Sequence, residues 1–190
     1  LLMARNATLN YPQIGVGRLD AFNGDDIKGY LEKVKEYETN LNDTFNLAET
    51  PFNKMWMKNV LHLGGGNNNN EQQLFRSYLE YIYKPIIEGP LFRGKVSSLY
   101  KNSTDPIQIA QNIFLDSIIN TGVSLITFFG HSATTTLDFN LEPEHFDNKG
   151  KYHLMLSNGC FVGSIFTDVP HSSSYSDRFV LTPNKAAIGY

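Results

Sequence analysis

Short apolar runs recur along the chain at intervals of about thirty residues, each closed by glycine or polar punctuation. Asn59-Val60-Leu61-His62-Leu63, Val96-Ser97-Ser98-Leu99-Tyr100, Val123-Ser124-Leu125-Ile126-Thr127-Phe128-Phe129, Tyr152-His153-Leu154-Met155-Leu156 and Ala186 to Tyr190 read as strands. An earlier stretch, Ile14 to Leu19, reads as a strand or an extended approach to one. Between the runs the period changes to that of a helix. Asn23-Gly24-Asp25-Asp26 supplies turn and cap chemistry, and Ile27, Tyr30, Leu31, Val34 and Tyr37 then recur at helical spacing to about Asn40. On that reading Lys28, Glu32, Lys33, Lys35 and Glu36 form the solvated face. Leu74, Phe75, Tyr78, Leu79 and Ile82 predict a second helix from Glu71, ending near Pro85. A third opens at Pro106, carries Ile107, Ile109, Ile113, Phe114, Ile118 and Ile119, and stops at Gly122.

Strands alternating with helices at this spacing imply βαβ units and a parallel sheet, and continuous apolar runs suit strands covered on both faces. The fold class is therefore α/β. The 190 residues fit one domain, 1–190. Both ends read as cut, with a strand still in progress at Tyr190, so the expectation is a truncated domain of a larger protein.

Composition narrows the function classes. An apolar fraction of 41% and a charged fraction of 18% belong to a folded chain. A net charge of −3 provides no basic field for nucleic acid or anionic lipid, and no apolar run reaches the length of a membrane span. The Gly64-Gly65-Gly66 loop lacks both dinucleotide and P-loop spacing, and no Gly-x-Ser-x-Gly elbow exists for a serine hydrolase. The acidic and amide loop Asn23 to Asp26 matches no calcium-loop pattern. Asn6, Asn42 and Asn102 open formal glycosylation sequons that are read as chance.

Two strand ends carry candidate chemistry. Gly130-His131-Ser132 closes the most apolar run, and Ser157-Asn158-Gly159-Cys160 follows the next. Open α/β sheets place ligands at the carboxyl ends of their strands, which would set an imidazole beside a thiol. A histidine near neutral pH can take the proton that makes a thiol nucleophilic. Cys160, the only cysteine, could also be a buried inert residue, and spacing alone leaves the two readings level. His62 and His153 lie inside strand runs, and His145 and His171 in polar loops, so His131 leads as the base.

The order of these features resembles the gingipain-like family of cysteine peptidases in the caspase-like clan, which includes sortase-like peptidases of type IX secretion. Val16-Gly17-Arg18-Leu19 with the helix from Ile27 is similar to that family's upstream strand and helix. Gly64-Gly65-Gly66 with Glu71 is similar to its glycine-rich loop and acid, and Leu156 to Phe161 to its nucleophile-bearing strand end. The resemblance implies a caspase-like three-layer α/β/α fold with a mainly parallel sheet. It implies Cys160 as nucleophile, His131 as general base and acid, and the backbone N–H groups of Ser132 and Cys160 as the oxyanion hole. Glu71 would assist; a glutamate opening a helix also favours the macrodipole regardless of catalysis. The implied activity is cleavage of a protein or peptide substrate, or its transpeptidation, through a thioester, by a secreted or surface-associated protein with secretion-system partners. No catalytic cofactor is implied, although relatives use structural calcium. Ser132 stands where the family commonly has glycine, and neither Glu80 nor Glu88 occupies the place of the acid that selects basic side chains, so that preference does not transfer. The alternative is an inactive peptidase-fold scaffold or binding module.

Overall fold

The computed structural model describes residues 5–6, 9–12, 17–42, 51–107, 112–164 and 174–190. Its elements run in chain order as β1 (Arg5–Asn6), β2 (Leu9–Pro12), α1 (Gly24–Asn42), a 3₁₀ segment (Pro51–Lys58), β3 (Asn59–Gly64), α2 (Asn69–Tyr78), a π-helical turn (Leu79–Tyr83) and α3 (Lys84–Glu88). Then follow β4 (Lys95–Tyr100), α4 (Asn112–Thr121), β5 (Leu125–Phe129), β6 (Ser132–Ala133), β7 (Thr136–Leu137), a 3₁₀ turn (Pro143–His145), β8 (His153–Asn158), α5 (Tyr175–Leu181) and β9 (Ala187–Gly189). Part of the expected run at residues 14–19, Ile109 of the expected third helix, and His171 lie outside the described residues.

Five strands form one sheet in the order β4-β3-β5-β8-β9, and every neighbouring pair in it is parallel. One face of β3 and β5 points Leu61, Leu63, Ile126 and Phe128 into a core closed by Leu115 and Ile119 of α4, with Met155 of β8 and Phe179 of α5. The other face meets α2, where Phe75 and Tyr78 pack on Phe129 with ring centroids 4.9 and 5.4 Å apart. Helices on both sides of a parallel sheet explain why β3 carries Val60, Leu61 and Leu63 and is buried from Val60 to Gly64. On the α2 side β8 leaves Leu154 and Leu156 half exposed.

The chain leaves β3 for β4 at one edge and then crosses to β5 on β3's other flank. The carboxyl ends of β3 and β5 therefore flank the point where the strand order reverses, the usual position of a ligand crevice in an open α/β sheet. The loop from Gly64 and the turn at His131 both lie there.

The third helix runs Asn112–Thr121, and Pro106 and Ile107, expected to open it, lie in a bend instead. Three further sequence expectations are corrected. The second helix does not end near Pro85. The wide turn Leu79–Tyr83, in which Lys84 N–H bonds back to Leu79 O, lets the chain carry a proline that lacks a donor, and helix resumes to Glu88. No element was expected just before the last strand, and a helix, α5, occupies Tyr175–Leu181 there. Ser174 caps it with Asp177 in a reciprocal box, a sequence signature hidden by the serine-rich run.

The third correction concerns α1, whose docking face keeps Tyr30, Val34 and Tyr37 of the apolar stripe but leaves out Ile27 and Leu31. Ile27 and Leu31 are about half exposed, whereas Lys33 is fully buried. Its Nζ donates to the carbonyls of Val180, Thr182, Lys185 and Ala187 at 2.7–3.2 Å. Tyr30 Oη donates to Ile188 O, Tyr152 Oη to Glu36, and Asn40 Nδ2 to Gly150 O. Lys33 and Tyr30 reach carbonyls at the end of α5 and along β9, and Glu36 and Asn40 reach Tyr152 and Gly150 before β8, polar groups that an apolar stripe could not satisfy. Burial pushes the Lys33 ammonium down to about 7.

Candidate active site

His131 and Cys160 occupy equivalent positions on adjacent strands. Phe129 of β5 is paired with Asn158 of β8, and each candidate residue lies two positions beyond its paired strand end. The turns that carry them are joined directly: Ser132 Oγ donates to Cys160 O at 2.7 Å. Ser132 thus acts as a tie between the two loops in the place where glycine was expected. Cys160 is exposed and unbridged, so the expectation of a buried thiol does not hold. The next residue, Phe161, has φ 58° and a largely exposed side chain. A bulky residue in the left-handed region stores strain, and such strain concentrates at functional turns.

Glu71 reaches the same place from α2. Asn68 caps this helix by accepting from Glu71 N–H, which fixes the first turn. Glu71 Oε2 then accepts from Asn67 N–H at 2.9 Å and lies 2.9 Å from His131 Nε2. A carboxylate only accepts, so Nε2 carries the proton and Nδ1 is left as the basic nitrogen of the neutral ring. Phe75 packs edge-on to the imidazole at 6.0 Å. The Asn67 N–H bond, and after it the His131 bond, hold the Glu71 carboxyl below the usual glutamate range.

Sequence reasoning missed Asp138 and Lys101. Asp138 is buried, its Oδ1 2.9 Å from Lys101 Nζ, which is buried with it. Asp138 Oδ2 accepts from Gly66 N–H at 2.9 Å and His131 N–H at 2.7 Å, while Asp138 N–H donates to His131 O. The neighbouring glycines make room for this carboxylate: a Cβ at Gly65 would lie 1.9 Å from Oδ2, and one at Gly130 2.6 Å. A lone aspartate in a polar stretch gave no warning of this, although the paired glycines at both strand ends mark a close approach.

The competing histidines are elsewhere. His62 and His153 are fully buried within the sheet, and burial holds both neutral, His62 at about 4 and His153 at about 3. His145 sits in the exposed 3₁₀ turn. Glu80 accepts from Tyr100 Oη and Lys84 Nζ, and Glu88 from Val96 N–H, so both candidate acids for a basic side chain already have partners. At the start of α1, Asn23 Oδ1 accepts from Asp25 and Asp26 N–H, and Asp26 from Phe22 and Asn23 N–H. Those oxygens cap the helix. Among the described residues no cluster of three or more His, Cys, Asp or Glu groups is arranged to hold a metal, and no helix is long and apolar enough to cross a membrane.

The model of peptidase family C25 matches residues 2–190. A solved structure described as that of a protease superposes with a TM-score of 0.61 at 19% identity, covering 89% of this chain and 34% of that one. The crystal structure of the Arg-specific cysteine proteinase gingipain R gives 0.58 at 15% identity, covering 94% of this chain and 39% of that one. The complex of the Porphyromonas gingivalis RgpB pro- and mature domains gives 0.58 at 15% identity, with 94% and 40% covered. At these identities the structures establish the shared α/β fold, and the chain spans two fifths or less of their length. A search of curated protein sequences finds no significant match.

Proposed function

The chain belongs to peptidase family C25, and from that premise we propose that it cleaves peptide bonds with Cys160 as nucleophile and His131 as general base. The observation that carries this reading is the equivalent placement of the two residues beyond the Phe129–Asn158 pair, with Ser132 bonded to the Cys160 carbonyl. His131 Nδ1 takes the thiol proton, and the sulfur attacks the substrate carbonyl. Charge on the resulting oxygen is met by the backbone N–H groups of Cys160 and Ser132. Collapse breaks the C–N bond, His131 returns its proton to the leaving amine, and a thioester remains on Cys160. Water then gives hydrolysis; an amine gives transpeptidation. Glu71 holds Nε2–H, keeps the ring in the required tautomer and offsets the imidazolium charge.

The substrate is a protein or peptide, and no preference for arginine or lysine is carried over, because Glu80 and Glu88 are already engaged. The chemistry needs no cofactor. The setting that fits a C25 peptidase of this kind is a larger protein, secreted or held at a bacterial surface, with residues 1–190 contributing one α/β catalytic unit.

The test is incubation of the chain with a mixed peptide library, with and without an added amine, read by mass spectrometry. Wild type should yield discrete cleavage or amide-transfer products, Cys160→Ala none, and His131→Ala should be slower by on the order of a hundredfold or more. Equal product formation by wild type and Cys160→Ala would overturn the assignment.

A further inference from the structure

We propose that Asp138, braced by Lys101, is the positioning residue that sets His131 against Glu71, an inference that rests on the dyad reading above. The hydrogen bonds form a closed circuit. Starting from the His131 backbone, its N–H reaches Asp138 Oδ2, which also takes Gly66 N–H. The chain continues one residue to Asn67, whose N–H holds Glu71 Oε2, and that oxygen returns to His131 Nε2. One carboxylate oxygen therefore fixes the distance between the β3 loop that holds the acid and the β5 turn that holds the base.

Two further contacts make the circuit rigid. Asp138 N–H donates to His131 O, so the aspartate grips both backbone groups of the histidine. Gly65 N–H donates to Phe129 O at 2.8 Å, joining the same two loops one step nearer the sheet. The Lys101 ammonium neutralises the buried carboxylate, and it also reaches Pro106 O at 3.3 Å and Asn67 Oδ1 at 3.5 Å. Lys101 N–H in turn donates to Gly64 O, which places this brace on the loop it stabilises. A carboxylate buried to 1% exposure, with glycines on both sides shaped to admit it, is a costly arrangement for packing alone. Asp138 bonds to the backbone of His131. Its effect passes through His131.

Two double variants separate positioning from bulk stability. Asp138→Asn with Lys101→Met removes both charges but keeps a side-chain oxygen for the two N–H groups. Asp138→Leu with Lys101→Met removes the charges and the acceptor. ¹⁵N NMR of the histidine rings reads the His131 tautomer, with His131→Ala assigning the signals and Glu71→Gln giving the uncoupled reference. The rate of labelling by a thiol-directed peptide ketone reads the dyad.

The Asn variant should keep the protonated Nε2 signature and label within a few-fold of wild type. The folded Leu variant should mix tautomers as Glu71→Gln does, and label on the order of tenfold to a hundredfold more slowly at saturating probe. Asp138→Glu keeps the charge pair but moves the acceptor, and should shift in the same direction as Leu; it serves if the Leu variant does not fold. Folded Leu or Glu variants with the wild-type tautomer signature would overturn the proposal, as would equal loss in the Asn and Leu variants. The tautomer can be read whether or not the chain cleaves peptides. Absence of labelling in wild type would therefore sink the peptidase reading and leave the positioning test standing.

Discussion

A methyl group added at Gly159 would lie 2.1 Å from Ser132 Oγ and 3.0 Å from Phe128 Cε1. Only a glycine lets the Ser132 hydroxyl reach the Cys160 carbonyl, so one hydrogen bond and one missing side chain together set the nucleophile turn. Gly159→Ala should push Ser132 aside and slow thiol labelling by about tenfold, a loss of roughly 1.4 kcal/mol in the transition state. Ser132→Gly, which removes the hydroxyl and leaves Gly159 in place, should slow labelling in the same direction. Wild-type labelling by Gly159→Ala would show that the tie is unimportant. At this scale the placement of His131 and Cys160 beyond paired strand ends was legible, because the apolar runs that precede them mark the strands. Asp138 and Lys101 were illegible because their meaning lies in a pairing across 37 residues of chain, and neither has a local pattern to mark it.

Elements were legible in proportion to their periodicity. The apolar runs at Asn59, Val96, Val123 and Tyr152 all became strands of one parallel sheet, with no end shifted by more than two residues, as strand and helix ends commonly are. The docking face of α1 was not legible, since hydrophobic periodicity cannot show a helix held by polar tips. Lys33 is the centre of that contact, meeting carbonyls at the end of α5 and on the approach to β9. Lys33→Met should leave those carbonyls without donors and cost about 1–3 kcal/mol in urea denaturation. Hydrogen exchange should show the loss concentrated in α1, α5 and β9. Unchanged stability, or a loss spread evenly over the sheet, would refute this account of the docking.

For the molecule as a whole, the two sheet histidines make stability depend on acid. His62 and His153 stay neutral in the fold at pH values where an unfolded histidine, near 6.5, binds a proton. The unfolded state therefore holds more protons below pH 6.5, and stability falls as pH drops, until about 4 for His62 and about 3 for His153. Each contributes a slope of up to ~1.4 kcal/mol per pH unit in that window. His153→Phe, placed among Phe146 and Phe179, should flatten the dependence between pH 6 and about 4, measured by denaturant titration at each pH. An unchanged slope would mean that His153 does not remain neutral in the fold.

In the proposed reaction Cys160 and His131 work together on a peptide. Labelling with a peptide acyloxymethyl ketone library, followed by tandem mass spectrometry, tests it most directly. A thioether adduct should form on Cys160 that requires the peptide portion and is lost in both Cys160→Ala and His131→Ala. Reaction of the folded chain with small alkylating agents alone, at the same rate with and without His131, would contradict it and leave a peptidase fold used as a scaffold.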